Sequence, residues 1–296
     1  MLRFQGIHLY SDPLTKMLDL YRVADEIRAI FSNYNTIISI DVRPPFLQYT
    51  LDPAYLAVIA ESIASIRISE LKQPIDNRQV KTRRYKRPSP DSIAYEKSLI
   101  TNANKNQGVR PPNSILYDGF LMQRLFGTLI PRSENSIDDV HIIFDSRLTC
   151  TFSKDDWRYH GRAIICGTPS IISTTGIVEA PAKPRDFYIR QMQRNAFRRG
   201  FQHGPGEKEQ ENDDDLKKEF AGRYIDYEDP QFDSIATGLV LQALFFFLTD
   251  GNPFCDDKDC RLFNAHWQED LIHCQIENPT LCEKHLGYLE LMKERG

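Results

Sequence analysis

No apolar run in this 296-residue chain is long enough to cross a bilayer. The most apolar stretch, Leu239–Leu248, is half of the ~20 residues that a spanning helix needs. Charge of one sign is not in large excess either: the formal net charge is −4, so the whole molecule is no polyanion binder. Histidine is scarce. There are seven, none between His203 and His266, and no two are spaced H-x3-H; that excludes the helical histidine pair of the common zinc hydrolases. Six cysteines in such a length are too few for a disulfide scaffold. The opening "MLRFQGIHLYSDP" lacks the apolar core and small-residue cleavage site of a signal peptide. A soluble cytoplasmic protein without membrane contact is the expectation.

What is present reads as a globular chain with 41% hydrophobic and 26% charged residues. "FQGIHLY" and "NTIISIDV" predict strands. Leu18–Phe31 predicts a helix from the spacing of Leu20, Val23, Ala24, Ile27 and Ile30, and Asp52 and Pro53 open a second helix running to Ile68. This β-α-β-α opening predicts an α/β (α+β) fold with a mixed sheet. A helix is expected over Ser114–Leu129, then strands in "DVHIIFDSRL", "RAIICG" and "SIISTTGIVEA", and a basic helix over Pro184–Arg199. Asp233 or Ser234 can cap a helix that Gly251 and Pro253 end. Asn264 can cap the next, and Thr280 with Glu283 has capping-box spacing for the last. The expected organisation is a main domain over 1–250, interrupted by a basic loop at about 72–113 and a disordered acidic insertion at about 203–217. A helical subdomain over 251–296 packs on it.

The strongest chemical signal lies in that tail. Four of the six cysteines fall in the last 42 residues, and the pattern is C-x4-C, 21 residues, then C-x2-H: Cys255, Cys260, Cys282, His285. A structural zinc takes four such ligands in a tetrahedron. The first pair sits on an expected turn. The second lies in the first helical turn, where i and i+3 share a face and the positive helix end favours the Cys282 thiolate. One structural Zn(2+) is therefore expected. His266 or His273 could stand in for His285, and buried thiols under a helical cap are the alternative to any metal. Cys150 and Cys166 read as buried free thiols, and His141, alternating within an apolar strand, as a core histidine.

The order G-x3-C-x4-C followed by a final C-x2-C/H pair resembles the tail of archaemetzincins, the archaeal-type branch of zinc metallopeptidases. Gly251, Cys255, Cys260, Cys282 and His285 carry the resemblance, with histidine in place of the last cysteine. The resemblance implies a metzincin-like architecture, an archaeal source and kinship with metallopeptidases. It also implies where catalytic groups should stand, and the chain departs there. Anchored on Gly251 and Cys255, the three catalytic-zinc histidines of the family fall on Leu244, Leu248 and Phe254, the glutamate on Phe245 and the methionine on Leu262. None of these ligates zinc or moves a proton, whereas a hydrolytic zinc needs three ligands, an open position and a base. The resemblance without its HExxH motif implies a non-catalytic or rewired pseudoenzyme that binds a peptide or protein in the old cleft.

Two further sets compete with that reading. His160 and Glu179 could serve as acid and base of another enzyme class, with Ile177–Ala180 as the edge strand that brings Glu179 to the cleft. Lys81, Arg83, Arg84, Lys86 and Arg87 surround Tyr85 in the 78–87 loop and could grip nucleic acid, extended by "RNAFRR" at 194–199. A solvated loop is the plainer reading of that run, because the protein as a whole is acidic.

Overall fold

The computed structural model describes residues 6–75, 87–103, 109–136, 138–200, 215–216 and 218–293. Apolar residues of period two in the N-terminal half build a five-stranded sheet. Strands β1 (Gly6–Tyr10), β2 (Ile40–Arg43), β4 (Asp139–Asp145) and β8 (Ser170–Ser173) run parallel, and the short β7 (Ile164–Ile165) runs antiparallel at one edge, giving the order β2-β1-β4-β8-β7. A smaller sheet joins β3 (Leu116–Asp118), β5 (Leu148–Ser153) and β6 (Arg158–Arg162) in the order β3-β5-β6. The fold is mixed α/β, as the opening pattern requires.

Alternation decides which face each strand residue serves. Ile7, Leu9, Val140, Ile142 and Phe144 join a cluster with helix α1 (Leu20–Ser32). Tyr10, Ile143 and Ile171 join another with α2 (Phe46–Thr50), α3 (Leu56–Ser65) and α5 (Gly119–Gly127); α4 (Pro90–Ala103) adds Ile100. Burial is nearly complete for these side chains, and each contributes about 1.5–3 kcal/mol relative to exposure. Local signals set the boundaries. Asp19 caps α1 by accepting from Tyr21 N and Arg22 N, and Asp52 accepts from Ala54 N at the 3-10 turn Pro53–Tyr55 that leads into α3.

Several boundaries differ from expectation. The helix expected from Ser114 begins at Gly119, because Leu116–Asp118 pairs with β5 and the Asp118 carboxylate then accepts from Leu121 N. Ile177–Ala180 is no strand. Thr174–Glu179 is a short helix, α6, started by Ser173, whose hydroxyl accepts from Gly176 N at 2.8 Å. Its Gly176 lies against the Arg162 backbone, so closely that a Cβ would collide with it. The edge strand is β7 instead.

The basic helix α7 (Arg185–Gly200) forms as expected. Helix α8 (Phe232–Leu248) is buried on nearly every side, and its residues fuse with the first cluster. Its N-cap is Gln231; Asp233 instead accepts from Asp19 N at 2.8 Å and ties α8 to α1. The chain leaves α8 through Asp250 and Gly251, both at positive φ, where glycine carries no steric cost. Helix α9 (Gln268–Ile272) starts after Trp267 rather than Asn264, continues as a π turn over His273–Glu277, and is followed by α10 (Glu283–Lys293). Thr280 gives its hydroxyl to Asn278. Leu262, Leu271 and Leu289 of this tail sit in the same apolar cluster as α8. Among the described residues no helix is long and apolar enough to cross a membrane. The acidic insertion (but for residues 215–216 and 218 onward) lies outside the described residues, as does the basic run over 76–86; Arg87 pairs with Glu61 at 3.4 Å.

Candidate metal centre and the neighbouring cleft

Cys255, Cys260, Cys282 and His285 converge at one point, buried or nearly so. The knuckle forms because the chain doubles back on itself: Cys255 N donates to Leu262 O at 2.9 Å and Phe263 N to Cys260 O at 2.8 Å. Amides two residues on then reach the sulfurs, Asp257 N to Cys255 Sγ and Leu262 N to Cys260 Sγ, both at 3.5 Å. Such N–H donors favour the thiolate form. Arg261 pins the turn from beneath, with Nη1 on Glu26 Oε1 (2.8 Å) and Nη2 on Ser234 O (3.0 Å).

The spacing fits a tetrahedral zinc site. With Zn–S of about 2.3 Å and Zn–N of about 2.0–2.1 Å, the edges of the tetrahedron are ~3.8 Å for S···S and ~3.6 Å for S···N. Cys255 Sγ lies 3.8 Å from Cys282 Sγ, and Cys260 Sγ lies 3.5 Å from His285 Nδ1. A third edge, Cys282 Sγ to His285 Nδ1, is shorter at 3.1 Å. Sulfurs 3.8 Å apart are also far from the ~2.05 Å of a disulfide. Burial pushes the Cys255 thiol up and the Cys260 thiol up to about 12, and it lowers His285, keeping the imidazole in the neutral form that ligates. Among the described residues His285 Nε2 is buried without a hydrogen-bond partner, its ring edge-on to Phe245 at 5.5 Å between centroids.

The other tail histidines stand elsewhere. His273 is held by Asp259 (2.7 Å) and Glu277 (3.1 Å) on the surface, which raises its pKa. His266 is exposed and borders a cavity described below. Cys150 and Cys166 are free thiols, both pushed up to about 12 by burial.

A second grouping, His8, Glu134 and His141, also brings its ligand-type atoms within 4.8 Å of one another. Here a cation is already present. Arg43 binds Glu134 in bidentate fashion (2.6 and 3.1 Å) and Asp41 through Nε (2.6 Å), lowering the Glu134 pKa. Both nitrogens of His141 are engaged, Nδ1 with Tyr10 Oη at 3.0 Å and Nε2 with Glu134 O at 2.9 Å. His141 is the satisfied core histidine its strand position predicts; burial lowers its pKa.

Along another face of α8, and reached by Phe254 next to Cys255, lies a cavity of about 360 Å³. Leu239, Gln242 and Phe246 of α8 form one wall, Phe254 and Phe263 another, and the edge strand β7 with Arg162 a third. Leu244, Phe245 and Leu248 do not line it; they are packed in the core. Gln242 gives its amide to Phe263 O at 3.2 Å. His160 and Glu179 are each held separately, His160 Nε2 by Asp156 Oδ1 at 2.9 Å and Glu179 by the Tyr227 hydroxyl at 3.1 Å. No hydrogen bond or ion pair joins the two. Arg162 escaped the reading of the sequence; its only signal was a basic residue heading the apolar run "AII".

Residues 3–292 match the model of a family described as "Probable metallopeptidase family (DUF6775)". The chain belongs to this family. The match spans both the sheet and the metal centre, so the four converging ligands stand inside the family's own domain. No curated protein and no solved structure matches the chain.

Proposed function

We propose that this protein is a non-catalytic member of its metallopeptidase family, acting inside the cell as a peptide-binding module. Its tail is held by one structural zinc on Cys255, Cys260, Cys282 and His285. When bound there, zinc supplies a tetrahedral crosslink between the 255–263 turn and α10, and its binding free energy becomes folding free energy. The observation that carries the non-catalytic reading is the wall of the cavity. α8 presents Leu239, Gln242 and Phe246 to it, and the loop that follows adds Phe254, Phe263, Asn264 and a single histidine, His266. One histidine falls short of the three ligands that a hydrolytic metal needs, and the wall offers no carboxylate as its base.

The peptide reading rests on the cavity's third wall. Among the described residues strand β7 has a sheet neighbour on one side only, and Ala163, Ile164, Ile165 and Cys166 all border the cavity. An extended chain can add to such an edge through main-chain hydrogen bonds while alternate side chains enter the apolar space.

Zinc per chain, measured by elemental mass spectrometry on untagged protein, tests the first part. One equivalent is expected, lost in Cys255→Ser/Cys282→Ser, with no hydrolysis of a denatured protein substrate. Two equivalents, one surviving the double substitution, would overturn the non-catalytic reading.

A further inference from the structure

Arg162 is a charged side chain that the fold does not account for. It ends β6 and borders the cavity, half-buried. Its Nε donates to Thr151 Oγ1 at 2.7 Å, which orients the guanidinium plane, but among the described residues its Nη atoms have no carboxylate partner. The other sequestered arginines differ. Arg43, Arg67, Arg147 and Arg261 each close on a carboxylate, and Arg110 spends both Nη atoms on hydroxyls and the Leu14 carbonyl. The nearest acid acting on Arg162, Asp156, is already taken by Arg158 and His160. Burial lowers the Arg162 pKa, so the charge is partly stripped of water without a counter-ion.

A guanidinium in that state pairs best with a planar anion that takes two parallel N–H bonds, which is a carboxylate. The rest of the cavity is chiefly apolar, formed by Leu239, Phe246, Phe254 and Ile164. At about 360 Å³ it stands near the small end of ligand pockets. The terminal residue of a peptide carries an apolar side chain and a carboxylate on one Cα, and so satisfies both walls at once. An internal acidic residue would meet Arg162 and leave the phenylalanine wall unfilled. Building on the peptide-binding reading above, we propose that Arg162 anchors the C-terminal carboxylate of a peptide whose last, apolar side chain lies between Phe246 and Phe254. The residues before it would run along β7.

The test is fluorescence anisotropy with the full, zinc-loaded chain and N-terminally labelled hexapeptides ending in phenylalanine, as the free acid and as the C-terminal amide. The free acid should bind about ten- to a hundredfold more tightly, the range expected of a charge-assisted pair. In Arg162→Gln its affinity should fall to that of the amide. Equal binding of acid and amide by the unaltered protein would overturn the anchor and leave the peptide reading standing. Binding of neither would overturn the peptide reading on which the anchor rests. An amidated peptide with an internal glutamate that bound as tightly as the free acid would overturn the assignment to a chain end. Because the acid-to-amide ratio is read on the unaltered protein, the outcome does not depend on a variant's folding.

Discussion

Phe245 and Phe246 are consecutive on α8, yet they serve different sites. The Phe245 ring packs edge-on against His285 of the metal centre, while Phe246 walls the cavity. On one side of the helix, soft ligands converge at ion-sized spacing, with backbone N–H groups directed at the sulfurs. At the other the helix offers only leucine, glutamine and phenylalanine, and they share the cavity with Arg162, whose Nη atoms have no carboxylate partner among the described residues. The difference teaches that a ligand set with metal-site spacing and the chemistry of the cleft are separable in this fold. A structural ion needs local spacing, whereas a hydrolytic one needs ligands on the helix itself.

The comparison breaks most visibly at the metal. Cys260→Ser, or exhaustive chelation, should lower the thermal midpoint by on the order of 10 °C, because the binding energy of the ion is folding energy; scanning calorimetry with and without added zinc checks this. If the tail stays folded after zinc is stripped, the two sides of α8 are alike in needing no metal.

Next is the contact that presses the tail onto α8. Gly238 lies against the Gln275 side chain so closely that a Cβ there would collide with it. Gly238→Ala should cost about 1–3 kcal/mol from overpacking, read as a shifted urea midpoint, and should release the tail to limited proteolysis.

A smaller effect concerns His141, whose cluster resembles a metal site but holds Arg43 instead. Its pKa is lowered by burial. As the pH falls through about 6.5 the unfolded chain takes up this proton before the folded one does. Stability should therefore drop on acidification below that value and be regained as the pH rises above it. Urea titrations at pH 7.5 and 5.5 should show a smaller difference in His141→Gln than in the unaltered protein.

The smallest expected change sharpens the contrast. Arg162→Gln should alter stability by less than about 1 kcal/mol, since it removes one hydrogen bond and relieves an unpaired, desolvated charge. A large loss in thermal melts would mean that Arg162 is a structural residue after all.

Much of the tail was legible from spacing alone. Cys255 and Cys260 share one turn, and Cys282 and His285 share the start of one helix, so only two local units had to meet. The strands β1, β2 and β4 and helix α1 were legible for a similar reason: period two and period 3.6 are written in consecutive residues. The failures came where a tertiary partner overrode a local pattern. Ile177–Val178 has the β-branched character of a strand, but Ser173 caps a helix there and Gly176 allows its close approach to Arg162. The role expected of Ile177–Ala180 passed to Ile164–Ile165, within the strand expected in "RAIICG", whose place at the sheet edge no local pattern marks. Glu179 and His160, grouped by their chemistry, each found another partner.

By itself, then, the amino-acid sequence determined the α/β class, the ligand types of the metal centre and the missing histidines of a hydrolytic one. These depend on residue identity and on short-range periodicity. Only the tertiary structure decided which histidine joins the three cysteines, which strand forms the sheet edge, and that Arg162 faces an apolar cavity without a carboxylate. The metal centre joins segments some 20 to 30 residues apart and the cavity joins β7 to α8 about 75 residues on, while the sheet edge depends on where β8 lands beside β4; all are set by how helices and sheet pack.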